Sequence, residues 1–170
     1  MDLPLVRLLI MASALGLAAC GFQLRGAYTL PYESLFIAAA DYSVVGAGLK
    51  RFIRTTGSTR LAENAKEAQA TFRPTGEQRE TTILSLSSAG RVREKRLTYR
   101  YSFRVVNRDE LNLIAPVTIE LYRDITYADS DVLAKTQEEE LLWRDMETDL
   151  VQQLLRRLST LKPVFPTAED

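Results

Sequence analysis

The sequence predicts an α+β fold, a two-layer sandwich in which a roughly four-stranded mixed or antiparallel sheet is covered on one face by two helices. Three observations predict it. Residues 97–105 and 117–127 alternate apolar and polar side chains, the pattern of strands with one buried and one wet face. Leu142, Met146, Leu150, Leu154 and Leu158 recur every fourth residue, as on the apolar stripe of a helix. The order strand, helix, several strands, helix fits a sheet with helices on one side.

The elements follow in order. Leu35, Phe36, Ile37, Ala38 and Ala39 form a short apolar run, consistent with a buried strand. The turn-forming residues 27–34, with Pro31, read as an extended linker into it. Asp41 or Ser43 can cap a helix in which Val45, Leu49, Phe52 and Ile53 share a face. Gly46 and Gly48 weaken its first turns, and Gly57 is a natural stop. Residues 62–70, rich in alanine, fit a helical turn or a loop. Thr71, Phe72 and Arg73 read as a strand ended by Pro74. From Arg79 the period is two, with Thr82, Leu84 and Leu86 set against Ile83 and Ser85 before a turn at Ser88, Ala89 and Gly90.

In the next strand Leu97, Tyr99, Tyr101, Phe103 and Val105 line one face, and Thr98, Arg100, Ser102 and Arg104 the other. A loop over residues 107–116 leads to a strand carrying Val117, Ile119, Leu121, Ile125 and Tyr127, expected to pair antiparallel with its predecessor. The long helix spans about residues 133–161, with Trp143, Val151 and Leu155 supporting its stripe. Glu138, Glu139 and Glu140 near its start and Arg156 and Arg157 near its end complement the helix dipole. Lys162 and Pro163 end it.

A chain of 170 residues with 46% hydrophobic side chains suits one domain. Its 22 basic and 22 acidic residues balance, which argues against nucleic acid as a partner. Any basic site is therefore a local cluster. There is no histidine, the single cysteine is Cys20, and no Gly-x-Ser-x-Gly elbow occurs. These absences remove the usual general base, an internal disulfide, a cysteine zinc site and the common hydrolase constellations. No enzyme activity, metal or cofactor is expected.

Residues 1–7 contain one basic side chain, Arg7, and residues 8–17 are almost wholly apolar. The run falls short of the ~20 residues a bilayer-spanning helix needs and has the size of a signal-peptide core. It closes on Leu17, Ala18, Ala19 and Cys20, which resembles the lipobox of bacterial lipoprotein precursors. The organisation expected is a signal peptide over 1–19, a lipidated N-terminus at Cys20 with a linker to 34, a single α+β domain over 35–162 and a short tail over 163–170. Two or more acyl chains on Cys20 anchor a protein stably to a membrane. Gly21 in place of an aspartate directs the expectation to the periplasmic side of the outer membrane.

The residues Cys20, Gly21, Phe22, Gln23, Leu24, Arg25 and Gly26 resemble the opening of the LptE family, lipopolysaccharide-assembly lipoproteins of Gram-negative bacteria. Gly90, Arg91, Val92, Arg93 and Glu94 before an aromatic strand, and Leu133, Ala134 and Lys135 before an acid-rich helix, continue the resemblance over most of residues 20–161. It implies two helices on a four-stranded sheet. It also implies a protein that sits inside the barrel of the outer-membrane protein LptD, helps it fold, plugs it and binds lipopolysaccharide. A different class remains open, a free-standing periplasmic lipid-binding or ABC-transporter accessory lipoprotein.

Arg91, Arg93, Lys95 and Arg96 place four cations in six residues beside the Gly90 turn. Arginine offers paired donors to phosphate, so the segment is a candidate site for lipopolysaccharide phosphates. It reads equally as a solvated hairpin whose charges discourage edge pairing. The resemblance adds Lys135, on the family's Leu-Ala-Lys position. Asp124, Asp129 and Asp131 lack the glycine and glutamate of a calcium loop and are expected in caps and turns. Glu138, Glu139 and Glu140 point in different directions on a helix and read as a solvated first turn.

Overall fold

The computed structural model describes residues 28–127, 132–160 and 163. Its elements are β1 (Ser34–Ile37), α1 (Val44–Thr56), β2 (Arg60–Leu61), β3 (Ala70–Leu86), β4 (Val92–Val106), β5 (Asn112–Thr126) and α2 (Val132–Thr160). One sheet holds all five strands in the spatial order β2-β1-β3-β4-β5. β1 pairs in parallel with β2 and β3, whereas β3, β4 and β5 form an antiparallel meander. The two helices pack beside each other on the sheet, so the α+β sandwich is as expected. The strand beyond the expected four is β2, whose two residues are too few to show a period.

α1 starts where the Ser43 hydroxyl accepts the Gly46 N–H at 3.1 Å and stops at Gly57, in the left-handed region with φ +67°. Its two internal glycines do more than weaken it. A Cβ at Gly46 would lie 2.6 Å from the Ala39 Cβ, and one at Gly48 would lie 2.8 Å from a Val151 methyl. Both distances are below contact, so the glycines let α1 approach the preceding loop and α2.

β3 does not end at Pro74 but runs through it for 17 residues. The Phe72 carbonyl accepts the Ala38 N–H at 2.9 Å, so Phe72 directs its peptide groups toward β1. Pro74 lies two residues on, opposite Phe103, and by ladder alternation its missing N–H faces the same side. β1 has ended there, so no ladder bond is lost, and a bulge follows between Pro74 and Gly76. β5 likewise begins at Asn112 rather than Val117. The turn before it is closed by the Asn107 N–H on the Leu111 carbonyl at 2.9 Å and the Leu111 N–H on Asn107 Oδ1 at 2.9 Å. Pro116 is tolerated because β5 is an edge strand.

The core is centred on β4. Leu97, Tyr99, Tyr101, Phe103 and Val105 are each no more than 1% exposed, and Met146, Leu150, Leu154, Leu155 and Leu158 of α2 are 0% exposed. Burying one such side chain contributes about 1.5–3 kcal/mol. Phe103 stacks on Phe72 with ring centroids 5.1 Å apart. Leu30 and Tyr32, within the segment expected to be a linker, belong to this core, so the packed domain starts ahead of β1.

Candidate functional site

The two-residue period of β4 divides the cationic segment between the faces of the sheet. Lys95 shares the helix-covered side with Leu97 and Tyr99. Its ammonium lies 5.0 Å from the centre of the Tyr127 ring and 3.7 Å from Glu139 of α2. Its pKa is raised, first by hydrogen bonding to Tyr127, against the opposing pull of burial. Arg96 points to the open face and grips Asp124 with two bonds, Nε to Oδ1 at 2.7 Å and Nη2 to Oδ2 at 2.8 Å. The guanidinium also lies 4.7 Å from the centre of the Tyr122 ring. Hydrogen bonding to Arg96 holds the Asp124 carboxyl below the ordinary aspartate range. Asp124 is thus an ion-pair partner, not a cap.

Arg91 and Arg93 flank the hairpin turn and are exposed. Gly90 takes φ +74°, which a residue with a side chain rarely adopts. The turn is closed by the Ser87 N–H on the Arg91 carbonyl at 2.7 Å and the Gly90 N–H on the Ser87 carbonyl at 2.9 Å. The Tyr127 N–H donates to the Arg93 carbonyl at 2.7 Å, tying the end of β5 to the same point. Among the described residues no ion pair holds Arg93.

Lys135 stands in the first turn of α2 with its ammonium 2.6 Å from Glu138. The Tyr127 hydroxyl donates to Glu139 at 3.2 Å. With the Lys95–Glu139 pair, this seats the start of α2 over the turn end of the meander. Arg91, Arg93, Lys95 and Lys135 therefore gather at one end of the domain, with Arg96 on the opposite face. Glu138 and Glu139 are ion-pair partners there rather than a merely solvated turn. Cys20, Asp129 and Asp131 lie outside the described residues.

One part of this end escaped the sequence reading. Ile83, Leu84 and Leu86 are 54%, 44% and 56% exposed, with Ile83 paired to Lys95 and Leu86 to Val92. The signal was present as six uncharged residues, 81–86, just before the cation-rich turn. Alternation marked a strand there, but not that nothing covers it. The hairpin end thus presents apolar side chains and guanidinium groups together.

The uncovered sheet face is a ladder of matched charges. Arg100 bonds Glu120 at 2.5 Å and Glu80 at 2.9 Å, Glu110 pairs with Arg73 and lies 3.8 Å from Arg104, and Ser102 bonds Thr118 at 2.8 Å. On the covered side Arg79 pairs with Glu147 and lies over the Tyr99 and Trp143 rings at 4.9 and 5.5 Å. The Tyr99 hydroxyl donates to Glu77 at 2.6 Å, and burial first, then that bond, raises its pKa. Among the described residues no group of three or more acidic, cysteine or histidine side chains is placed to hold a metal.

Fold and site together define a small α+β domain with a polar sheet face and an amphiphilic hairpin end. Residues 32–158 match the family described as LptE, lipopolysaccharide-assembly, and the chain belongs to that family. It is similar to the LPS-assembly lipoprotein LptE of Yersinia pestis (strain Pestoides F), 26% identical over 162 residues covering 92% of this chain and 76% of the relative. Among solved structures it resembles lipoprotein B of Nitrosomonas europaea, 38% identical with TM-score 0.69, covering 82% of this chain and 90% of that one. A minor lipoprotein of Acinetobacter baumannii, 22% identical with TM-score 0.64 and covering 81% and 99%, shares the fold. Family membership makes the chain an envelope lipoprotein with an accessory role in assembly, not an enzyme.

Proposed function

We propose that this protein assembles and plugs an LptD-like outer-membrane β-barrel and binds lipopolysaccharide on its way to the cell surface. In this reading residues 1–19 are removed, lipid on Cys20 anchors the chain to the periplasmic side of the outer membrane, and the domain engages the barrel. The observation that carries the reading is the family match across residues 32–158. The hairpin end supports it chemically. Lipopolysaccharide combines phosphates and carboxylates with acyl chains, and Arg91 and Arg93 stand beside exposed Ile83 and Leu86. Lys95 and Lys135, each bound to a glutamate, form a second row able to exchange a carboxylate partner for a phosphate. Arg96, committed to Asp124 on the other face, contributes least. The matched polar ladder of the open face suits a barrel interior, which is polar.

Co-purification of the full chain from membranes tests the partner. A stoichiometric complex with a large β-barrel is expected; an abundant free monomer would instead support the free-standing lipid-binding reading. Lipopolysaccharide titration tests the site. Arg91→Glu with Arg93→Glu should weaken binding most, Lys135→Glu and Lys95→Glu less, and Arg96→Glu and the distant Arg156→Glu least, all more at low salt. Equal losses in all variants would reduce the effect to net charge and overturn the site.

A further inference from the structure

β3 is much longer than the strand beside it. β1 covers only residues 70–72, so from Pro74 to Leu86 the side of β3 away from β4 faces no strand among the described residues. Ladder alternation directs the peptide groups of Glu77, Arg79, Thr81 and Ile83, opposite Tyr101, Tyr99, Leu97 and Lys95, onto this open edge. Edges are usually blunted by charge, proline or a bulge. Here Pro74 and its bulge guard the near end, and register shifts between Ile83 and Leu86 bound the far end. Between them Glu77, Arg79 and Glu80 carry charge, and Thr81, Thr82 and Ile83 are uncharged.

Where β1 stops, the chain turns away through Ala38 and leaves a cavity of about 340 Å³ against the same edge, bordered by Tyr42, Pro74, Glu77 and Tyr101. Tyr101 is 1% exposed and its hydroxyl is buried with no hydrogen-bond partner among the described residues. Glu77 beside it is half exposed and already accepts from Tyr99 at 2.6 Å. Two of the exposed apolar side chains, Ile83 and Leu84, mark the far end of the edge.

The geometry points to β-strand addition: an extended segment of a partner protein pairs with β3 along residues 77–83. Its backbone satisfies the open edge, while alternate side chains read the flanks. A hydrogen-bond donor, glutamine or lysine, enters the cavity against Glu77 and Tyr101, and branched apolar side chains cover Ile83 and Leu84. A second copy of this chain fits less well. Overlaying Ile83 on its mate in an antiparallel pair sets Glu80 of each copy against Leu86 of the other, a charge facing an apolar side chain.

The test uses the full chain in detergent micelles and an end-blocked, fluorescein-labelled heptapeptide, Val-Thr-Val-Lys-Thr-Thr-Gln, whose glutamine falls opposite Glu77 in an antiparallel pair. Thr81→Pro removes an edge-facing donor without touching the bonds to β4 and should weaken peptide binding about tenfold or more. Tyr101→Phe should weaken it about threefold, but leave unchanged the binding of a peptide ending in valine. Amide exchange at Arg79, Thr81 and Ile83 of the parent chain should slow when peptide is added, and this readout stands even if the proline variant unfolds. The proposal is overturned if the peptide does not bind, if Thr81→Pro folds and binds like the parent, or if the edge amides exchange unchanged at saturation. A concentration-dependent dimer in sedimentation that disappears in Thr81→Pro would overturn it in favour of a second copy.

Discussion

Beneath the helices, the alternating residues of β4 from Leu97 to Val105 are at most 1% exposed, whereas Ile83 and Leu86 of the paired strand, beyond the helices, are more than half exposed. Both stretches are written in the same two-residue period. The difference lies in what ends nearby: β1 stops at Ile37, and α2 begins only at Val132 and seats itself over β4 and β5 through Lys95, Tyr127 and Arg123. A strand pattern reports that two faces exist, and other elements decide which of them meets water. The covered half carries stability, and the uncovered half keeps apolar and cationic groups available.

The sharpest way to break this comparison is to truncate a large side chain in each half. Phe103→Ala should lose about 3–5 kcal/mol of unfolding free energy in a denaturant titration, while Ile83→Ala or Leu86→Ala stays within about 0.5 kcal/mol. Similar losses at both would mean that the hairpin end is buried after all. Next comes the seating of the cover. Gly48→Ala, although better for helix propensity, drives a methyl into Val151 and should cost about 1–3 kcal/mol. Adding Val151→Ala should return part of that loss, and a Gly48→Ala chain as stable as the parent would show that the two helices are not held this closely.

A smaller effect, of opposite sign, is expected at Tyr101. Removing its buried, unpartnered hydroxyl with Tyr101→Phe should leave melting unchanged or raise stability by up to about 1 kcal/mol; a clear loss would reveal a partner for the hydroxyl. The smallest effect belongs to the uncovered face. Because Asp124 has a lowered pKa in the folded chain, its pairing with Arg96 stabilises the fold above the unfolded value, about 3.9. That contribution is lost as pH falls through the lower folded value. Carboxyl titration by NMR should place Asp124 below ordinary aspartates, and Arg96→Gln should return it to them.

Much of the covered half was legible because long, strong periods survive any local exception: α2 lies within a residue of where its pattern places it. β4 ends within a residue of its pattern but begins at Val92, five residues before Leu97, in the cation-rich stretch where the alternation is lost. The exceptions came from context that a linear pattern does not hold. Pro74 and Pro116 read as breakers only if both edges of their strands are paired, and in each case one edge is open. Gly46 and Gly48 read as weak helix formers because the nearness of Ala39 and Val151 is a tertiary fact. The four cations of residues 91–96 formed one cluster by spacing, yet alternation sends Lys95 to Glu139 and Arg96 to Asp124 on opposite faces. The end shared by Lys135 and Lys95 depends on the seating of α2, which no spacing encodes.

The short β1 also has a meaning in time. The strands of the meander are joined by tight local turns, but Leu35 must wait for Ala70, its parallel neighbour, to arrive from 35 positions along the chain. Closing that larger loop carries a higher entropic barrier than forming either hairpin. In a chain emerging N-terminus first, β1 therefore has only the two residues of β2 to pair with until the meander exists, and it locks on late. Folding kinetics should show this as a low φ-value for Ile37→Val and a higher one for Val105→Ala. Until β1 docks, residues 70–72 extend the open edge of β3, so the nascent domain is stickiest along the strand that stays partly uncovered once folding is complete.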